Sequence, residues 1–153
     1  MATLFLDVPL VAQETDNTCW HASAQMIWWY WQSLTLRQGP MNTLGGYYAS
    51  DTPVQPADFI PLARSVGMKS VPCSRIYTNQ ILHGLLKTYG PLWCAGFWYG
   101  FGHIIVLTGV DGSSIFLNDP DGGVEKMERI AWFNTKLSNQ LPGCLMCKDP
   151  KAY

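Results

Sequence analysis

The chain has 153 residues, of which 48% are hydrophobic, 13% aromatic and 14% charged, and its formal net charge is −1. This length predicts one domain, residues 1–153, that buries about two-thirds of the surface of its unfolded chain. The many aromatic and few charged residues exclude a disordered chain, and the small net charge argues against nucleic acid and anionic membranes as partners.

The sequence shows neither a membrane span nor a secretory signal. Its longest apolar stretch, around Met26–Trp31, is far shorter than the roughly 20 residues of a spanning helix. Ala2–Leu6 lacks a basic flank, and Asp7 interrupts the apolar run. We therefore expect a cytoplasmic protein, or one exported by a route that reads no cleaved signal. The alternative is a domain taken from a longer chain.

The first part of the chain predicts an extended segment followed by a buried helix. Leu4–Val11 is predicted as a short strand or an extended lead-in. Cys19–Leu34 is apolar on almost every face, which is typical of a helix buried on all sides. Asn17 or Thr18 is its predicted N-cap. Arg37–Pro56 contains three Gly and three Pro and is predicted as a loop.

Two further helices and a chain of strands follow. Ala57–Val66 is predicted as a short helix, Met68–Pro72 as a brief strand, and Thr78–Tyr89 as an amphipathic helix stopped by Gly90-Pro91. Four strands are then predicted, with a tight hairpin at Asp111-Gly112 and a turn at Asn118–Gly123: Leu92–Trp98, His103–Val110, Ser114–Leu117 and Val124–Phe133. Helices first and an antiparallel sheet after them predict an α+β fold.

Cys19 is the candidate nucleophile because it stands at the predicted start of a helix. Backbone N–H groups and the macrodipole at that end favour an anion, and a thiolate is the form of cysteine that attacks acyl carbon. Most cysteines are buried packing residues, so placement alone leaves both interpretations open.

Gln13 lies six residues before Cys19. Its amide is a candidate donor to an oxyanion beside the Cys19 N–H, and the alternative is an exposed loop glutamine.

His103 and Asp119 are the candidate base and its orienting carboxylate. His103 opens an apolar strand after a glycine-containing loop, and histidine is the usual group that takes the proton of a thiol. Asp119 lies sixteen residues further, and the hairpin at Asp111-Gly112 predicts that the two residues are hydrogen-bonded neighbours on adjacent strands. Asn118 is the rival orienter, but strand alternation places it on the other side of the sheet. The alternatives are a rim histidine and ordinary turn chemistry for Asp119.

The remaining histidines and cysteines indicate no second site. His21 lies two residues past Cys19 on the same helix, where side chains do not face each other, and His83 is predicted at a helix rim or surface. Cys144 and Cys147 form a Cys-x-x-Cys pair, but no second pair completes a zinc site. We therefore expect no metal and no cofactor. These two cysteines are interpreted as core residues or an incidental bridge, with a redox or metal role as the alternative.

Motifs along most of the chain resemble a known family. Val8–Gln13 and Thr18–Ser23 resemble papain-like cysteine peptidases, in which Gln-x5-Cys joins the oxyanion hole to the nucleophile and Trp commonly follows the Cys. Gly90–Trp93, Gly102–Val110 and Asn118–Pro120 resemble a compact bacterial branch of that family. The branch includes the double-glycine leader peptidases of bacteriocin exporters and the papain-like effector proteases of plant pathogens.

The resemblance implies a papain-like α+β fold, in which an N-terminal buried helix carrying the nucleophile packs on a C-terminal antiparallel sheet. It also implies a cysteine endopeptidase that hydrolyses peptide bonds through a Cys19–His103–Asp119 triad and a thioester, with Gln13 in the oxyanion hole. Larger papain relatives use Asn as the orienter, so Asp119 follows the compact branch. Exporter peptidases are fused to membrane transporters, and the absence of such a segment favours a secreted bacterial effector or toxin.

Several functional alternatives stay open at this point. The same triad would serve a deamidase, a transglutaminase or a peptidoglycan amidase, and a fold does not decide among them. A non-catalytic binding module is the other alternative, although its usual mark is the loss of Cys or His. The expected partner is a protein or peptide substrate. We also hypothesise an immunity or inhibitor protein that covers the Cys19 cleft and protects the producer.

Overall fold

The computed structural model describes residues 3–40 and 53–153. The described helices are α1 (Cys19–Thr35), α2 (Phe59–Ser65), α3 (Asn79–Tyr89) and α4 (Ile130–Lys136), and a 3-10 turn at Pro56–Asp58 precedes α2. The described strands are β1 (Thr3–Phe5), β2 (Met68–Ser70), β3 (Leu92–Gly96), β4 (His103–Asp111), β5 (Ser114–Asp119), β6 (Val124–Arg129) and β7 (Leu145–Lys148).

The seven strands of the described ranges form one antiparallel sheet. Their order is β2-β7-β3-β4-β5-β6, and β1 pairs with the second half of β4 beside this path. The helix α1 lies against β3, β4 and β7. The structure therefore confirms the predicted α+β fold, in which an N-terminal helix that begins with Cys19 packs on an antiparallel sheet.

Tryptophan side chains hold α1 against the sheet. Trp20, Ala24 and Trp28 of this helix are almost fully buried. Trp93 of β3 donates its indole N–H to the carbonyl oxygen of Trp20 at 3.1 Å, and Trp28 donates to the carbonyl oxygen of Val66 at 2.8 Å. Because these two N–H groups have partners, the rings of Trp93 and Trp28 enter the core without the cost of an unsatisfied donor. The first turn of α1 thereby has a defined position on β3.

Two predictions at the N-terminus are confirmed in part. Only part of the predicted lead-in Leu4–Val11 is a strand, since β1 spans Thr3–Phe5. Thr18 is the N-cap residue of α1, but its side chain makes no capping hydrogen bond. Its hydroxyl donates instead to the carbonyl oxygen of Thr15 at 3.2 Å. This hydroxyl therefore stabilises the turn that precedes the helix.

The predicted strand Val124–Phe133 is wrong in its second half, which forms α4 from Ile130 onward. The rings of Trp132 and Phe133 in this helix lie 5.0 and 5.5 Å from the ring of Trp98. Phe133 is fully buried. Packing of this segment around Trp98, which is more than thirty residues earlier in the sequence, therefore favours a helix. The sequence pattern alone had indicated a strand.

The strand β7 was not indicated by the sequence, because four residues are too few to show a period. It lies between β2 and β3 and pairs with both. Cys144 directly precedes this strand and Cys147 is its third residue, and both side chains are fully buried. All five cysteines lie in the described part of the chain and are free thiols.

One predicted loop is described only in part. Residues 41–52 of the predicted loop Arg37–Pro56 lie outside the described residues. Within residues 3–40 and 53–153, no helix has the length and apolar character that a membrane crossing requires.

Candidate active site

Cys19 lies at the first residue of α1, in a cleft between the helical half and the sheet. The cleft has a volume of about 600 Å³. Cys19 is partly exposed, whereas the following Trp20 is buried in the core. Polar side chains of the cleft come from Gln13, Asp16, Asn17, His103 and Asp121, and apolar ones from Phe59, Phe97, Phe101, Ile104 and Leu141. The thiol is thus placed at a helix N-terminus and is open to a ligand in the cleft.

His103 contacts both of the other predicted triad residues. It is the first residue of β4 and is 5% exposed. Its Nε2 lies 2.7 Å from Oδ1 of Asp119, and the Cys19 thiol is near enough to raise the pKa of His103. Because Asp119 occupies Nε2, Nδ1 is the ring nitrogen left for the thiol. The imidazole therefore lies between a thiol and a carboxylate, which is the arrangement of a nucleophile, a base and its orienter.

A one-residue irregularity in the sheet places these two side chains on one face. The pairing of β4 with β5 shifts by one residue between Leu107 and Gly109, so Thr108 is an extra residue in β4. Beyond this bulge Val106 is opposite Asn118, and His103 and Asp119 are diagonal neighbours on the same face. Without the extra residue Asp119 would be opposite Val106 and would point away from His103.

The lead-in segment supports this bulge. The carbonyl oxygen of Thr108 accepts the N–H of Leu6 at 2.9 Å, so the backbone group of the bulge has a partner. Gly109 allows β1 to approach, since a Cβ there would lie 2.7 Å from the carbonyl oxygen of Leu4. Asn118 is buried on the opposite face, as predicted, where its amide donates to the carbonyl oxygen of Val8 at 3.0 Å. It takes no part in the contact with His103.

The electrostatics of the buried pair favour its charged form. Burial acts to lower the pKa of His103, but hydrogen bonds to Asp119 and Cys19, together with their charges, outweigh it and raise the pKa to about 9. Burial acts to raise the pKa of Asp119, but hydrogen bonds from His103, Lys126 and the N–H of Asp121 lower it to about 2. Between these values the pair is an imidazolium beside a carboxylate.

Lys126 is a residue of this site that the sequence analysis missed. Its Nζ lies 2.8 Å from Oδ2 of Asp119 and 3.1 Å from the hydroxyl oxygen of Tyr99. The β5–β6 hairpin pairs Asp119 with Val124 and Leu117 with Lys126, which places Lys126 on the face that carries Asp119. The signal was present in the sequence, because a symmetric hairpin about Asp121-Gly122 already implies this register.

Gln13 is held beside the cleft by the turn that follows Asp119. Its backbone N–H donates to the carbonyl oxygen of Pro120 at 2.7 Å, and its side-chain Nε2 donates to the carbonyl oxygen of Thr15 at 2.9 Å. A primary amide has two N–H groups, so the bond to Thr15 fixes the amide and leaves a second donor for a ligand. Gln13 and Cys19 both line the cleft.

The other histidines lie away from this site. His21 is buried in α1 with its ring edge-on to those of Trp20 and Trp28, and burial lowers its pKa. His83 lies in α3. Neither is among the residues that line the cleft. As predicted, neither shares the Cys19 cleft with His103.

Comparisons with known proteins identify a family and a fold for this chain. A family model described as papain-like cysteine protease AvrRpt2 matches residues 3–138. Among solved structures, the chain is similar to one described as a double glycine motif protease from an AMS/PCAT transporter in complex with the leader peptide. The TM-score is 0.58, the identity is 18%, and the match covers 96% of each chain. At this identity the likeness shows the fold.

Proposed function

The chain belongs to the family of papain-like cysteine protease AvrRpt2 and is a cysteine-dependent hydrolase, and from this premise we propose that Cys19, His103 and Asp119 form its catalytic triad. The proposal rests on one observation. His103 lines the same cleft as Cys19, whose thiol raises the pKa of His103, and it is hydrogen-bonded to Asp119 at 2.7 Å. A metal has no role in the proposed reaction.

The proposed reaction begins with a Cys19 thiolate and a His103 imidazolium. The sulfur attacks the carbonyl carbon of the peptide bond, and the C=O electron pair moves to oxygen, where the Gln13 amide and the Cys19 N–H stabilise the charge. As the C–N bond breaks, Nδ1 of His103 gives its proton to the leaving amine, and the acyl group remains on Cys19 as a thioester. Neutral His103 then takes a proton from water, which attacks the thioester and releases the acid and the thiolate.

The substrate class that suits this cleft is an extended peptide, which makes the chain an endopeptidase. A volume of about 600 Å³ exceeds what a slot for a single Gln or Asn side chain would need, as in a deamidase. The cleft also offers apolar surface, part of it from Phe59 and Phe101. The similar solved structure is that of a protease in complex with a leader peptide, which supports a peptide as the occupant.

We further propose that this protease acts as a bacterial effector or toxin and that its producer makes an inhibitor protein for the Cys19 cleft. The match to the AvrRpt2 family model supports the first part. The second part follows from the need to protect the producing cell. A protein encoded beside this chain should bind it tightly and block modification of Cys19, and the absence of any such binder would contradict the idea.

The triad is tested by intact mass after brief treatment with a thiol-directed epoxide. Wild type should gain one adduct quickly, Cys19→Ala should gain none, and His103→Ala and Asp119→Ala should react slowly. Cys73→Ala is the matched control, because Cys73 is another partly exposed thiol, and it should react like wild type. Equal labelling of Cys19 and Cys73, or no effect of His103→Ala, would show that the triad assignment is wrong.

A further inference from the structure

We propose that Lys126 is a positioning residue of the active site, which fixes the Asp119 carboxylate and ties the aromatic loop Phe97–Phe101 to it. This inference rests on the triad proposed above. Neither the sequence motifs nor the family match assigns a role to this lysine. It lies on the edge strand β6, outside the segments that supply Cys19 and His103.

The hydrogen bonds of Asp119 explain why a donor to its second carboxylate oxygen matters. Oδ1 accepts from His103 at 2.7 Å and from the N–H of Asp121 at 2.9 Å, whereas Oδ2 accepts from Lys126 at 2.8 Å. A carboxylate held through one oxygen can still rotate about its Cβ–Cγ bond. The bond from Lys126 to the other oxygen fixes the plane of the group. It therefore keeps Oδ1 in line with Nε2 of His103.

The same ammonium group reaches the rim of the cleft. Its Nζ donates to the hydroxyl of Tyr99 at 3.1 Å and lies 4.3 Å from the centre of the Tyr99 ring. The rings of Tyr99 and Phe101 lie beside the imidazole of His103 in tilted orientations, each with its centre 6.0 Å from that of His103. Phe97 and Phe101 line the cleft. Lys126 thus connects the triad carboxylate to the loop beside the imidazole.

The charge of Lys126 balances that of the reactive state. The titratable groups around His103 are Cys19 from α1, Tyr99 from the β3–β4 loop, Asp119 from β5 and Lys126 from β6, and the cleft carboxylates Asp16 and Asp121 add negative charge. The charges of the four groups of the reactive state, on Cys19, His103, Asp119 and Lys126, sum to zero. Loss of the ammonium leaves one excess negative charge, which favours the protonated imidazole. It should therefore shift the titration of His103 to higher pH.

The test compares Lys126→Met and Lys126→Gln with Lys126→Arg, which keeps the charge and the donors. Both neutral variants should lower kcat about 10- to 100-fold, because a hydrogen bond from a charged donor is lost. They should also move the alkaline limb of the kcat/KM profile upward by about one pH unit. Lys126→Arg should restore most of both properties. Tyr99→Phe keeps the charge on Asp119 and should raise KM without moving the alkaline limb.

Lys69→Met is the matched control, since Lys69 is an exposed sheet lysine with its ammonium 5.7 Å from the ring of Tyr89. It should change neither kcat nor the pH profile.

His103 is also titrated directly by NMR of histidine-labelled protein. Lys126 is 35% exposed, so its neutral variants are expected to fold, and urea unfolding verifies this. Folded neutral variants with the wild-type kcat and His103 titration would overturn the role of Lys126. Activity that survives Cys19→Ala would instead overturn the triad.

Discussion

His103 and Asp119 meet on one face of the sheet because the pairing of β4 with β5 slips by one residue at Thr108. A hairpin without this bulge would turn the carboxylate to the opposite face, where Asn118 now binds the backbone of Val8. The contact between the proposed base and its proposed orienter is therefore a property of sheet register. Its consequences for activity are open to direct measurement.

Replacing Asp119 by Asn should abolish most of the activity, although the two side chains have the same shape. One oxygen of Asp119 accepts from Lys126, and the other accepts from His103 and the N–H of Asp121. The amide of Asn has only one acceptor oxygen. Either Lys126, or His103 together with the N–H of Asp121, would therefore face its NH₂ group. If His103 faced the NH₂ group, the imidazole would change tautomer. We expect kcat/KM to fall about 10³-fold or more.

The matched control for this substitution is Asp111→Asn, at the far end of β4, where the carboxylate accepts a surface hydroxyl bond from Thr3. This variant should keep kcat/KM within about twofold of wild type, as is usual for a remote surface change. An Asp119→Asn enzyme that is as active as Asp111→Asn would show that the orienter need not be charged.

The stability of the protein should depend on pH through the same pair. The pKa of His103 is about 9 against an ordinary 6.5, so its stabilisation is complete below about pH 6.5 and is lost as the pH rises through 9. The pKa of Asp119 is about 2 against an ordinary 3.8, so its stabilisation is present above about pH 4 and is lost as the pH falls through 2. The pair therefore stabilises the fold most between about pH 4 and 6.5.

Urea unfolding at a series of pH values measures this effect. Between pH 6.5 and 9.5 the free energy of unfolding should fall by an amount on the order of 3 kcal/mol, and His103→Gln should remove most of that fall. His83→Gln, in α3, should leave it in place. A wild-type stability that is flat over this interval would contradict the raised pKa of His103.

Replacing Gln13 by Ala should slow catalysis with little effect on substrate binding. An oxyanion donor acts on charge that develops in the transition state, so its loss typically lowers kcat by about 10²- to 10³-fold while KM changes little. The exposed Gln80 of α3 provides the control, and Gln80→Ala should behave like wild type. A Gln13→Ala enzyme with raised KM and normal kcat would assign Gln13 to substrate binding alone.

Gly102 offers a way to perturb the cleft without perturbing the fold. A Cβ at Gly102 would meet nothing within 4 Å, and the residue lines the cleft directly before His103. We expect Gly102→Ala to keep the wild-type unfolding midpoint and to raise KM for peptide substrates, because the methyl group enters space that the peptide needs.

Gly84→Ala in α3 is the comparison, since a Cβ there also meets open space. It should stabilise the protein by up to about 1 kcal/mol through helix propensity and leave KM unchanged. Equal KM values for the two variants would place the bound substrate away from Gly102.

The sequence by itself predicted cysteine protease chemistry for this protein and the order of most of its elements. A cysteine at a helix start, a histidine at a strand start and a carboxylate across a hairpin are local patterns, and the longest spans the sixteen residues from His103 to Asp119. The periods of the flanking segments were long enough to predict a buried helix followed by a sheet. These features need no knowledge of distant contacts.

Only the tertiary structure decided which faces and which partners these residues have. The bulge at Thr108, the insertion of β7 between β2 and β3, the helix that begins at Ile130 and the bond from Lys126 to Asp119 all depend on contacts between distant segments. A register shift of one residue reverses every side chain of a strand, yet it leaves the local pattern of apolar residues unchanged. For this reason the residues of the proposed triad could be named from the sequence, whereas their geometry could not.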